Sequence, residues 1–461
     1  MLHPSSLSAA VSRRTVLKGV GSLTGAGLLA ATGALTGCTS GAGTDTPAKV
    51  QAAKPGTLTI MTPAGDLSKE TISAFHRAHP DVKIRQIETD PTRLNAMLAA
   101  GNPPDLVRDA GIDVTPYIAS QGLALNLDEY MAQSSVLKES DILPVNDVWK
   151  WDGTTQGKGA RYGIAKDWSQ DQMWWFNSDL WRAAGLTAPD PKTPVTYDQL
   201  LDHAKQLTKS SGGRTSVYGL WNVTPDIDRI AGMVATAGGQ IISEDLGTVD
   251  FTSPEAQRAL SWIVDAAKAG VCYSVTNPSP DWDGPEVLAG KQVAACQGYW
   301  FTGYVEATKP AYSSKLVLNS APLLGSTRIS PTYGAVGFWI PARAANPGAS
   351  FAFMEWFCGG AGARTRISAG QGLPTLKSML SLIPQRNAFE KASYATQQNE
   401  LQYVKVIKMA SPYALNTAIN ATLAKDFPRA ITGGLSVAGL ADLLTKDVNA
   451  TLAAGKKALG K

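Results

Sequence analysis

Residues 57–61, Thr-Leu-Thr-Ile-Met, form a short apolar run that reads as a buried strand. Residues 68–78 then place Ile72, Ala74, Phe75 and Ala78 at helical spacing. Val82-Lys-Ile-Arg-Gln-Ile87 alternates as a second strand, 92–100 is helical, and Pro104-Asp-Leu-Val107 opens a third strand. The order β-α-β-α-β predicts a largely parallel sheet covered on both faces, with a ligand crevice at the carboxyl ends of its strands. The loops after the first and third strands, 62–66 and 108–113, face that crevice and carry Asp66, Asp109 and Asp113.

Farther on, 178–184 is a helix closed by Gly185 and followed by Pro189, Pro191 and Pro194. Helical periodicity recurs over 197–207, 226–237 and 254–269, the last with Ala259, Leu260, Ile263, Val264 and Ala267 on one face. This supplies a second α/β lobe. No fixed-period repeat is present, which argues against a solenoid or propeller.

Composition narrows the class. A chain of 461 residues with 44% hydrophobic and 17% charged side chains can bury a large core and is too long for one ordinary domain. The net charge of +4 is small, and no Lys/Arg block follows the N-terminus, so a nucleic-acid partner is excluded. Much of that charge is Arg13, Arg14 and Lys18, which precede a weakly apolar stretch over 20–37, the layout of a cleaved export signal. Removing these three cations leaves a net charge of +1. Residues 12–18, Ser-Arg-Arg-Thr-Val-Leu-Lys, resemble a twin-arginine export motif, and Leu35-Thr-Gly-Cys38 resembles a bacterial lipobox. The second resemblance implies cleavage before Cys38 and its lipidation, giving a lasting extracytoplasmic membrane anchor without a membrane span. Residues 38–56, rich in Gly, Ser, Thr, Ala and Pro, then suit a flexible tether. Cys272, Cys296 and Cys358 remain, compatible with one disulfide plus a buried thiol or with three reduced core cysteines.

Several segments occur in a characteristic order. Pro104-Asp-Leu-Val107 is followed by Tyr162-Gly-Ile-Ala165, Trp174-Trp-Phe-Asn-Ser-Asp-Leu-Trp181 and Pro194-Val-Thr-Tyr-Asp-Gln-Leu200. Then come Leu288-Ala-Gly-Lys-Gln-Val-Ala-Ala-Cys-Gln-Gly-Tyr-Trp300 and Gly370-Gln-Gly-Leu-Pro-Thr-Leu-Lys-Ser378. Together they resemble the extracellular solute-binding proteins of bacterial ABC importers, the group that includes maltose- and glycerophosphodiester-binding proteins. The resemblance implies an α/β, two-lobe, periplasmic-binding-protein-like (type II) fold with a hinge and an inter-lobe cleft. By the family pattern, lobe one takes 57–166 plus 292–337 and lobe two takes 167–291 plus 338–461. Two departures from the family pattern stand out: Ala165 replaces a usual proline at the hinge entry, and 166–173 is longer by a few residues.

Such a cleft needs polar groups that pair on closure and aromatic faces for a sugar ring. Trp174, Trp175, Trp181, Trp262 and Trp356 read as core. Adjacent Trp174 and Trp175 point to opposite faces of a strand. Trp168 beside Asp167, Trp221 before Asp226, and Trp300 after Tyr299 lie where loops also carry carboxylates, as do Trp282 and Trp339. The family places a ligand-stacking aromatic at Trp300, and Gly337 and Gln371 follow from its Gly-rich strand and late loop. The candidate ligand residues are therefore Asp66, Asp109, Asp113, Asp167, Trp168, Trp221, Asp226, Tyr299, Trp300, Gly337, Trp339 and Gln371. No cofactor or metal is implied, since His76 and His79 at i, i+3 lack a nearby third ligand. The resemblance implies a monomeric, non-catalytic capture subunit for a small carbohydrate, an oligosaccharide, working with ABC permease subunits in the membrane. The alternatives are a glycerophosphodiester ligand or, from another class, a secreted polysaccharide-active enzyme or adhesion module. Gly-x-Ser-x-Gly, His-Glu-x-x-His and Cys-x-x-Cys are all absent.

Overall fold

The computed structural model describes residues 47–332 and 334–460. The export signal over 1–37 and the lipidation site at Cys38 lie outside the described residues. Strand β1 (Gly56–Met61) pairs in parallel with β2 (Val82–Ile87) and with β3 (Leu106–Ala110). The intervening helices start where side chains can satisfy orphan backbone donors. Ser68 Oγ accepts from Thr71 N ahead of Lys69–Ala78, and Asp90 caps Pro91–Ala99 with Pro91 in its first turn. Strands β4 (Gly163–Asp167) and β8 (Val336–Trp339) complete a five-stranded sheet of order β2-β1-β3-β8-β4, in which β8 runs antiparallel to both neighbours.

A second, antiparallel sheet has β5 (Trp174–Asn177) between β6 (Ala294–Ala295) and β7 (Leu316–Asn319). Trp174 and Trp175 are buried on its opposite faces, Trp174 against Phe176, Trp181 and Trp221, and Trp175 against Phe301 and Phe389. Helix Tyr197–Leu207 opens with a reciprocal capping box between Thr196 and Gln199. Helices Ile227–Thr236 and Pro254–Lys268 cover the same half, their inner faces carrying Ile230, Val234, Leu260 and Ile263.

Sheet membership corrects the expected partition. Residues 292–337, expected in lobe one, supply β6 and β7 to the second sheet, and only their last residues join β8 in the first. Conversely, 347–368, expected in lobe two, packs on the first sheet: Phe353 meets Phe75 and Phe338, and Trp356 meets Phe75. The physical reason is strand pairing. Ala294–Ala295 and Leu316–Asn319 pair their backbones with the two edges of β5.

The tether expectation over 38–56 is corrected in its described part. Residues 48–54 lie along the body, Ala48 N donating to Asn126 O at 3.4 Å and Gln51 N to the Tyr130 hydroxyl at 3.0 Å. Asn346 brackets Lys54, its Oδ1 accepting from Lys54 N at 3.2 Å and its Nδ2 donating to Lys54 O at 2.7 Å. Cys272, Cys296 and Cys358 are buried free thiols, and burial pushes each up to about 12.

Candidate functional site

The loop after β1, the end of β3 and the end of β4 converge on a cleft of about 660 Å³ whose far wall comes from residues around β6. Asp66 and Arg108 stand on the near side as an ion pair, Arg108 Nε to Asp66 Oδ2 at 3.1 Å, with the Thr62 hydroxyl on the same oxygen at 3.3 Å. Burial by itself would raise the Asp66 carboxyl. Lys166, Arg108 and the Thr62 hydrogen bond outweigh it and hold this group below its ordinary value. At the end of β4, Lys166 Nζ donates to Asp167 Oδ2 at 2.6 Å and Arg366 Nη1 to the same oxygen at 3.3 Å. Arg366 is itself fixed by the Lys166 and Phe357 carbonyls and lies over the Phe357 ring.

On the far wall Asp171 is the organising residue. Its Oδ1 accepts from the Ser169 hydroxyl at 2.6 Å, Trp300 Nε1 at 3.1 Å and Gly298 N at 3.3 Å. Burial raises its carboxyl above the ordinary value even against these three donors. Trp300 is thereby pinned with its ring in the cleft, beside Trp282 and Tyr304. Gln371 enters on a turn in which Gly370 and Gly372 have φ of 78° and 92°. A Cβ at Gly372 would fall 2.7 Å from Asp167 Cβ, so only glycine lets this turn pass so close to β4. These contacts fall on one oxygen of each carboxylate, Oδ2 in Asp66 and Asp167 and Oδ1 in Asp171.

Of the sequence candidates, Asp66, Asp167, Trp168, Trp300 and Gln371 meet in this cleft. Trp168 presents only an edge, being buried with Nε1 donating to Pro374 O at 3.0 Å. Asp109, Asp113 and Trp339 line a different, mostly apolar cavity of about 160 Å³, together with Asp228 and Asn416. There Trp339 Nε1 donates to Asp109 Oδ2 at 2.9 Å, and Asn416 Nδ2 donates to Asp113 at 3.2 Å and to Asp228 at 3.1 Å. Burial pushes Asp109 up to about 6. Burial, reinforced by Asp226, pushes Asp228 up to about 8, and burial with Asp228, Asp109 and Asp226 raises Asp113 well above its ordinary value.

Four candidates line neither space. Trp221 is core, ringed by Trp174 and Trp262, because the loop carrying it is drawn down by Asn222 N bonding to buried Asp283. Tyr299 is fully buried because β6 leads straight inward before the helix Phe301–Thr308. Asp226 caps Ile227–Thr236 and pairs with Arg229, spending its oxygens locally. Gly337 sits mid-strand, paired with Asp109 and Ala165. Conversely, Lys166, Asp171, Arg366 and Tyr304 were not among the candidates. The extra length over 166–173 was the available signal for Asp171, since the added residues carry it under Trp300.

Comparison with known proteins follows the same outline. A family model described as bacterial extracellular solute-binding protein matches residues 70–394. Among solved structures, an ABC substrate-binding protein from Listeria monocytogenes in complex with cycloalternan is similar, with a TM-score of 0.70, 19% identity, and coverage of 86% of this chain and 99% of that one. A solute-binding protein from Thermotoga lettingae bound with α-D-tagatose gives 0.70 and 20% over the same shares. The GacH receptor of Streptomyces glaucescens, solved unliganded and with acarbose, gives 0.66 and 19% over 87% and 99%. At these identities the likeness is one of fold. No curated protein sequence matches the chain.

Proposed function

The chain belongs to the bacterial extracellular solute-binding proteins, and from that membership we propose that it is the capture subunit of an ABC importer for a neutral carbohydrate, an oligosaccharide. The observation that carries the reading is the facing arrangement of Trp300, fixed by Asp171, and the Asp66–Arg108 and Asp167–Lys166 pairs across one cleft. An aromatic face takes the C–H side of a sugar ring, while charge-assisted acceptors and donors take its hydroxyls. The solved relatives' ligands, cycloalternan, tagatose and acarbose, support the same class.

A glycerophosphodiester is the weaker reading. The three cations lining the cleft, Arg108, Lys166 and Arg366, are matched by Asp66, Asp167 and Asp171, which leaves no excess positive charge for a phosphate. Catalysis is not part of the proposal: the cleft carboxylates are engaged with cations or with Trp300, an arrangement suited to holding a ligand unaltered. We read the body as two lobes, one holding 57–167 with 334–383 and the other 168–332 with 388–460, a division the two sheets support. The chain would work outside the cytoplasm as a monomer, exported through its twin-arginine-like leader, anchored by lipid at Cys38, and docking on permease subunits when closed. No described helix is long and apolar enough to cross a membrane.

Thermal-shift screening of the purified chain against neutral sugars and glycerophosphodiesters tests this, because a ligand specific for the native state raises Tm by mass action. A shift with glycerophosphodiesters and none with sugars would replace the proposal.

A further inference from the structure

Eleven of the twelve tryptophans are buried or half-buried, and Trp282 alone is exposed, at 37%. It lies at the cleft, with its ring centroid 5.6 Å from that of Trp300 and inclined by 35°, and 4.7 Å from Tyr304 in an edge-on contact. An exposed indole forgoes a large share of the stabilisation it would gain by burial. Here the exposure is built in. Trp282 caps the helix Asp283–Leu288, and the next residue, Asp283, is 2% exposed and bonded through Oδ1 to Asn222 N and Gln292 Nε2, both at 2.8 Å, and through Oδ2 to Cys296 N at 3.2 Å. The backbone at 282 is therefore nailed to the second half of the molecule. The indole folds over Gly284, where a Cβ would come within 2.2 Å of ring carbon Cη2, so a side chain there would evict it. A rigid, solvent-facing aromatic surface adjoining the inner one is thus held open at the mouth of the cleft.

We propose that Trp282, backed by Tyr304, is a second sugar platform that sets chain-length selectivity: the inner ring of the ligand rests on Trp300, the next ring on Trp282, and any further units leave into solvent. This rests on the carbohydrate reading above. Rigid aromatics that are already in place contribute affinity at little ordering cost, so the second ring adds a step in affinity and later rings add little. The platform selects ligands of at least two units, and Trp282 acts on the second ring alone.

Titration calorimetry on the full mature chain with two series, mannose, mannobiose and mannotriose, and glucose, maltose and maltotriose, tests this. For the series that binds, the expected result is an increase of at least tenfold from one unit to two, and less than threefold from two to three. Trp282→Ala should collapse the first step to under threefold, and Trp282→Phe should restore part of it. A variant that weakens all members of a series equally would make Trp282 a structural prop and overturn the inference, as would an undiminished step. If neither series binds the wild-type chain, the carbohydrate reading falls and the inference falls with it, an outcome distinct from binding without a Trp282-dependent step.

Discussion

Asp228→Asn is expected to make the ligand-free protein less sensitive to pH, and the size follows from the cavity beside the cleft. Asp228 is pushed from 3.8 to about 8 by burial and by Asp226, despite Asn416 and Arg229, with Asp171 adding to the rise. Asp113 and Asp109 share the same space. Between pH 5 and 7 the unfolded chain carries this carboxylate ionised while the folded chain keeps its proton. The unfolded state then binds fewer protons, so stability falls as pH rises, by at most about 1.4 kcal/mol per pH unit for one group. Asp228 is half-buried, so water screens part of the effect, and a loss of roughly 1–2 kcal/mol from pH 5 to 7 is the working figure. It is fully present as stability below pH 4 and lost as pH passes 8. Asparagine removes the ionisation while its carbonyl can still accept from Asn416 Nδ2, which lies 3.1 Å from the native carboxylate. Calorimetric Tm of wild type and variant at pH 4, 5, 6, 7 and 8 should therefore converge toward pH 4 and separate progressively to a few degrees at pH 8, with the variant higher. Parallel curves, or a variant lower by the same amount throughout, would refute the argument.

Three further outcomes are expected. Trp300→Ala should cost at least about 2 kcal/mol of ligand affinity, roughly thirtyfold or more, with Tm little changed, as read by calorimetric titration with the best sugar from the screen. Gly372→Ala forces φ of 92° on a residue with a Cβ only 2.7 Å from Asp167 Cβ, so it should lower Tm by an amount matching about 1–3 kcal/mol and weaken binding through Asp167 and Gln371. Asn346→Ala removes the cap of Pro347–Met354 and both bonds to Lys54, and should cost about 1–2 kcal/mol by denaturant unfolding while exposing 48–54 to limited proteolysis.

Local features were legible in the sequence where local chemistry decides them. The helices beginning after Ser68, Thr196, Asp226 and Ser253 start within a residue or two of expectation, because each cap bonds only two or three residues ahead. The allocation of 292–337 was not legible. Ala294–Ala295 is too short for periodicity to register, and its partner Phe176 lies more than a hundred residues away. The site divided in the same way. Asp66, Asp167 and Trp168 sit at or just beyond strand ends, where a doubly wound sheet puts its ligands, and Trp300 and Gln371 came from the family's motifs. Trp221 and Tyr299 looked similar, but burial is a long-range property: the first packs against Trp262 and the second is fully buried. Asp171 escaped notice because its importance lies in its bond to Trp300, 129 positions on.

The stitching of 48–54 onto Asn126, Tyr130 and Asn346 has a mechanical consequence. All three anchor points sit on elements packed against the first sheet, so a load on the chain at residue 48 is passed first to that sheet and its helices. Those bonds would have to break before the first strand, β1, felt the strain.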